Sequence, residues 1–95
     1  MQRPVIVSGA RTPIGRFGGA FKSFSGSDLG AVAIKAALER ANISPEIVDE
    51  VIIGNVLQAA EAGYAPRLAS LKSGIPQEVP VIAINRQCAS GLDAI

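Results

Sequence analysis

Val81-Ile-Ala-Ile-Asn-Arg-Gln-Cys88-Ala-Ser-Gly-Leu-Asp-Ala-Ile95 is the stretch around which the chain is organised. Val81 to Ile84 is short, apolar and β-branched, which predicts a buried strand. Asn85 is a residue type that caps helices, and Ala89 to Ile95 predicts the start of one, with Leu92 and Ile95 three apart. Cys88 is thus expected at a strand-to-helix junction, inside the first helical turn. The free N–H groups and dipole of such a turn favour an anion, hence the thiolate. Ala89, Ser90 and Gly91 are small and leave room for a reactant beside the sulfur. Against this stands the commoner fate of a lone cysteine, burial as a small hydrophobe. Ser90 is the poorer nucleophile candidate, because a serine elbow wants glycine two places either side and here those places hold Cys88 and Leu92.

Working outward, the chain has 95 residues, enough for one small domain with a limited core. Nine basic and eight acidic residues leave a net charge of +1, so no field points to nucleic acid or an anionic membrane. Tryptophan is absent and aromatics are few, which argues against a base-stacking surface. A single cysteine excludes an internal disulfide and fits a reducing compartment. Met-Gln-Arg-Pro followed by Val-Ile-Val lacks the apolar length of a signal peptide, and no run approaches the ~20 residues of a membrane span. The expected location is cytoplasmic.

Val5-Ile6-Val7 predicts a first strand, non-alternating and therefore buried on both faces as in a parallel sheet. Ser8 to Ser27 breaks the pattern with a glycine-rich loop. A phosphate cradle fails there: Gly9 and Gly15 are too far apart for a dinucleotide fingerprint, and Arg16-Phe17 follows Gly15 where a P-loop needs Lys-Ser or Lys-Thr. An ordered surface loop is the expectation. Ser27 as N-cap predicts a helix from Asp28 to about Ala41. Its polar stripe, Asp28, Lys35, Glu39 and Asn42, is narrow, as in a helix packed against neighbours with one solvated face.

Ser44-Pro45-Glu46 predicts one helical turn with proline at its first position. Val51-Ile52-Ile53 is the second expected strand. Asn55 beyond it has two readings, a ligand at a strand end or a turn-forming Asn after Gly54. A short helix is expected from Tyr64 or Ala65 to Ser73, with Leu68 and Leu71 inward and Gly74 as its stop. Pro76 and Pro80 bracket a linker into the third strand. Arg67 and Arg86 receive no functional role. The fold class is α/β, a βαβαβ run whose parallel sheet is covered by helices on both faces.

Asn85-Arg-Gln-Cys-Ala-Ser-Gly-Leu-Asp-Ala-Ile95 closely resembles the active-site cysteine motif of thiolases. Val5-Ile-Val-Ser-Gly-Ala-Arg-Thr-Pro-Ile-Gly15, Val51-Ile-Ile-Gly-Asn-Val-Leu57, and Ala65-Pro-Arg-Leu-Ala69 leading to Gly74-Ile-Pro76 agree with the same family, in order. The resemblance covers essentially the whole chain. It implies a layered fold of two similar α/β halves, of which residues 1–95 are one incomplete N-terminal domain.

The same resemblance implies an acyltransferase in which Cys88 is the catalytic nucleophile, carrying the acyl group between thioesters. The Cys88 backbone N–H then helps hold the oxyanion. Coenzyme A and acyl-CoA are implied as substrates, with no tightly bound cofactor, no metal, no nucleic acid or membrane partner, and a homodimer or homotetramer as the full-length assembly. The family also uses histidines and a second cysteine from its C-terminal half, and this chain has no histidine and one cysteine. Residues 1–95 alone are therefore expected to be inactive. Two rival readings are a ketoacyl-synthase-type condensing enzyme and a non-catalytic folding or dimerisation module with a structural cysteine.

Overall fold

The computed structural model describes residues 2–95. In chain order these form helix α1 (Gly26–Ala41), a 3₁₀ turn at Pro45–Ile47, strand β1 (Val51–Gly54) and a 3₁₀ turn at Ala60–Gly63. Helix α2 (Ala65–Lys72), strand β2 (Val81–Ile84) and the short helix α3 (Ser90–Ala94) follow. β1 and β2 pair in parallel, Val51 opposite Val81 and Gly54 opposite Ile84. The connection between two parallel strands needs a crossover, and α2 provides it.

The run is βαβ, not βαβαβ. Val5, Ile6 and Val7 form no strand and are 77%, 80% and 68% exposed. Their β-branched character favours an extended backbone, but a strand exists only where a neighbouring edge accepts its hydrogen bonds, and none is paired with them here. Residues 2–25 accordingly run as loop and turns, with the Phe21 and Phe24 rings edge to face at 5.5 Å. Arg40 donates to the Gly9 carbonyl and ties this loop to α1.

α1 starts two residues earlier than Ser27 suggests. The cap is Ser25, whose hydroxyl accepts from the Asp28 N–H while the Asp28 carboxylate accepts from the Ser25 N–H, a reciprocal capping box. Ser27 is instead buried inside the α1–α2 contact, where its hydroxyl meets Ser25 Oγ and the Lys72 ammonium at 2.8 and 2.7 Å. Small residues let the two helices approach closely: a Cβ at Gly30 would stand 3.0 Å from that of Ala69. α2 turns Pro66, Ala69 and Ser70 inward, while Leu71 is 41% exposed, contrary to its expected place in the core. Gly74, at φ +93°, closes α2 in the left-handed conformation that favours glycine.

The core gathers Val51, Ile75 and Val79, with Ile34 and Leu38 of α1, Val48, Ile53 and Val81 packed on it. This cluster covers one face of the sheet. On the other face α3 covers only the carboxyl end, at Gly54, and Ile52 and Ile82, adjacent in register, remain 40% and 43% exposed, so the cover expected there is incomplete among the described residues. No helix of the described residues is long and apolar enough to cross a membrane.

Candidate active site

Cys88 lies just beyond the carboxyl end of β2, in the turn that leads into α3, and its side chain is exposed. Among the described residues, then, it is not packed away as a core hydrophobe. The junction itself is as expected; its details are not. α3 begins at Ser90 with Ala89 as the cap residue, which places Cys88 one residue before the cap and outside the helix. Asn85 does not cap it. Its side-chain oxygen accepts from the Gln87 N–H at 3.1 Å, an Asx turn that folds the chain back after the strand.

The turn carries an uncommon backbone. Gln87 sits at φ +49°, in the left-handed region. A non-glycine residue there costs of order 1–3 kcal/mol and persists only where the surroundings impose it. The imposing group is Ser90, only 4% exposed. Its hydroxyl accepts from the Arg86 N–H at 2.8 Å and donates to the Gln87 carbonyl at 2.6 Å. Backbone bonds reinforce the same loop, from Ala89 to the Arg86 carbonyl and from Ser90 to the Gln87 carbonyl, each at 3.1 Å. Arg86 Nε also meets Asp93 Oδ1 at 3.2 Å across the turn, a pair too exposed to contribute much.

Behind the turn stands Gly54, the last residue of β1. A Cβ there would come within 2.7 Å of the Gly91 nitrogen and the Ser90 carbonyl carbon. Only glycine lets the strand end touch the start of α3. Gly91 itself faces open space, which leaves that side of the turn accessible.

Asn55 serves the scaffold. Its N–H extends the ladder to the Ile84 carbonyl at 2.9 Å, and its side chain donates to the Ala62 carbonyl at 2.7 Å. Arg67 is likewise occupied, donating to the Val79 and Gln77 carbonyls at 3.0 and 2.6 Å. It lines a cleft of about 440 Å³ with Val81, at the opposite end of β2 from Cys88. That cleft holds no reactive group, and the chemistry argues for the cysteine.

The sequence singles out Cys88 as the candidate nucleophile but not the residues that hold its turn. Gly54 had a signal, a glycine closing an apolar strand, which often marks close backbone approach. Ser90 and Gln87 had none, because their roles depend on how one turn closes.

Comparison with known proteins bears on the same residues. Residues 4–95 match the family model described as Thiolase, N-terminal domain. A probable acetyl-CoA acetyltransferase of Mycobacterium leprae is 54% identical over 95 residues, all of this chain and 24% of that protein. The acetyl-CoA acetyltransferase of Cupriavidus necator is 52% identical over 91 residues, 96% of this chain and 23% of that protein. Human mitochondrial 3-ketoacyl-CoA thiolase, solved in complex with CoA, superposes with a TM-score of 0.85 at 49% identity, over 92% of this chain and 22% of that one. The chain thus spans about a quarter of the length of the relatives it matches.

Proposed function

The chain belongs to the thiolase family, and from that premise we propose that it is the N-terminal portion of an acyltransferase acting on coenzyme A thioesters, with Cys88 as nucleophile. One observation carries the reading: the family's cysteine motif falls on an exposed thiol, in a turn built by partly buried hydrogen bonds at the carboxyl end of a parallel strand. Sites in open α/β sheets gather at that end.

The Cys88 sulfur attacks the carbonyl carbon of an acyl-CoA or 3-ketoacyl-CoA. The tetrahedral intermediate collapses, the bond from the carbonyl carbon to its leaving group breaks, and the acyl group stays on sulfur. With acyl-CoA the coenzyme thiolate leaves; with 3-ketoacyl-CoA the acetyl-CoA carbanion leaves; each takes up the proton given up by Cys88. The acyl group then passes to a coenzyme A thiol (thiolysis) or to an acetyl-CoA carbanion (condensation). Donors aimed at the oxyanion are needed, and the Cys88 N–H is one by family resemblance. With no histidine in the sequence, the general base comes from outside these 95 residues.

Coenzyme A enters as substrate and not as a bound cofactor. Fatty acid metabolism, a cytoplasmic location and a homodimeric or homotetrameric complete protein belong to the same reading. The exposed apolar face at Ile52 and Ile82 supports further burial in that complete protein.

The test is alkylation of the complete protein. Cys88 should react with iodoacetamide at neutral pH faster than the cysteine of an unstructured peptide, and acyl-CoA should protect it. A thiol that reacts only after denaturation would be structural, and the proposal would fall.

A further inference from the structure

We infer that Ser90 is a positioning residue for Cys88, holding the turn that presents the thiol. The inference rests on the reading of Cys88 as nucleophile. Gln87, immediately before the cysteine, is in a left-handed conformation that a glutamine does not adopt unaided. Ser90, two residues after it, is almost wholly buried, and both hydrogen-bonding functions of its hydroxyl are committed to the backbone of residues 86 and 87. One side chain thereby bridges the turn on either side of Cys88. A serine hydroxyl suits this because it donates and accepts at once. Burial keeps the same hydroxyl away from any substrate, so it has no part in the bond-making steps.

The alternative is that Ser90 merely fills space beneath α3. The two are separated by the residue it acts through. Glycine takes a positive φ without penalty. If Ser90 works by holding Gln87, then Gln87→Gly should relieve the need for it.

The experiment measures single-turnover acetylation of Cys88 by acetyl-CoA in the complete protein, together with melting temperature. Wild type, Ser90→Ala, Gln87→Gly, the double variant Gln87→Gly/Ser90→Ala, and a Cys88→Ser control are compared. Ser90→Ala is expected to slow acetylation about tenfold or more while the apparent affinity for acetyl-CoA holds, since a misplaced nucleophile loses rate more than binding. In the Gln87→Gly background the same Ser90→Ala change should cost about threefold or less. An equal loss in both backgrounds, or no loss in either, would overturn the inference. Should Ser90→Ala fail to fold, the double variant decides: folded and acetylated, it supports the inference; unfolded, it makes Ser90 a folding residue and refutes it. Acetylation that persists in Cys88→Ser would instead overturn the nucleophile itself, which the Ser90 comparison does not touch.

Discussion

Gly54→Ala puts a single methyl between the end of β1 and the start of α3. Built on the existing backbone, that Cβ lies 2.7 Å from the Gly91 nitrogen and from the Ser90 carbonyl carbon, and 2.8 Å from the Ser90 oxygen. Ordinary contact begins at 3.4 Å, so about 0.7 Å must be found, all of it from backbone. No flexible side chain is there to yield. Overpacking of this kind costs about 1–3 kcal/mol. The usual gain from replacing glycine, about 0.4–1 kcal/mol through the unfolded chain, offsets only part of it. A net loss of about 1–2 kcal/mol is expected. The displaced element carries Ser90, and through it the Cys88 turn, so the functional loss should exceed the stability loss. Misplacement approaching 1 Å costs up to about 10²-fold in rate. The assay is Cys88 acetylation by acetyl-CoA in the complete protein, alongside urea unfolding. Wild-type stability and rate in Gly54→Ala would refute the close-contact reasoning.

Other expectations follow from the helix pair and the sheet. Asp28 accepts from the Ser25 N–H and from Lys72, and these, with the Ser25 hydroxyl nearby, hold its carboxyl at about 2 against an ordinary 3.8. Because the folded value is the lower one, its contribution is present above about pH 4 and fades as pH falls towards 2. Asp28→Asn should remove that part of the acid-unfolding curve, and an unchanged curve would contradict it. Ser70 Oγ is buried without a partner, so Ser70→Ala should raise stability by about 0.5–1 kcal/mol in chemical unfolding, and a loss would point to an unseen hydrogen bond. Residues 1–95 alone should associate through the face at Ile52 and Ile82 and show no turnover with acetoacetyl-CoA, whereas Ile52→Lys should reduce the association. Sedimentation and a thiolysis assay check both, and a cooperative monomer or surviving turnover would contradict them.

What was legible in the sequence was what local chemistry decides. Val51–Gly54 and Val81–Ile84 are apolar β-branched runs bounded by turn residues, and both are strands. Ser44 with Pro45, and Gly74 after Lys72, mark helical turns that start and stop where residue type dictates. Ser25-Gly-Ser-Asp28 also carried a readable signal, the three-residue spacing of a capping box, which outweighs Ser27 directly before Asp28. Val5 to Val7 has the composition of a strand and no partner edge, and pairing is a tertiary property that composition does not hold. The same limit explains Leu71. Its spacing suits an inward face, but α1 packs on the small residues of α2, and the larger side chain is left outside. At the candidate site, the motif singles out Cys88, while the role of the Ser90 hydroxyl depends on how the turn closes.

The most direct test of the account is mass spectrometry of the complete protein after brief incubation with acetyl-CoA and acid quenching. The account predicts an acetyl mass on the peptide that holds Cys88, absent in Cys88→Ser and discharged on adding coenzyme A. An acetyl group on another residue, with turnover undiminished in Cys88→Ser, would contradict it.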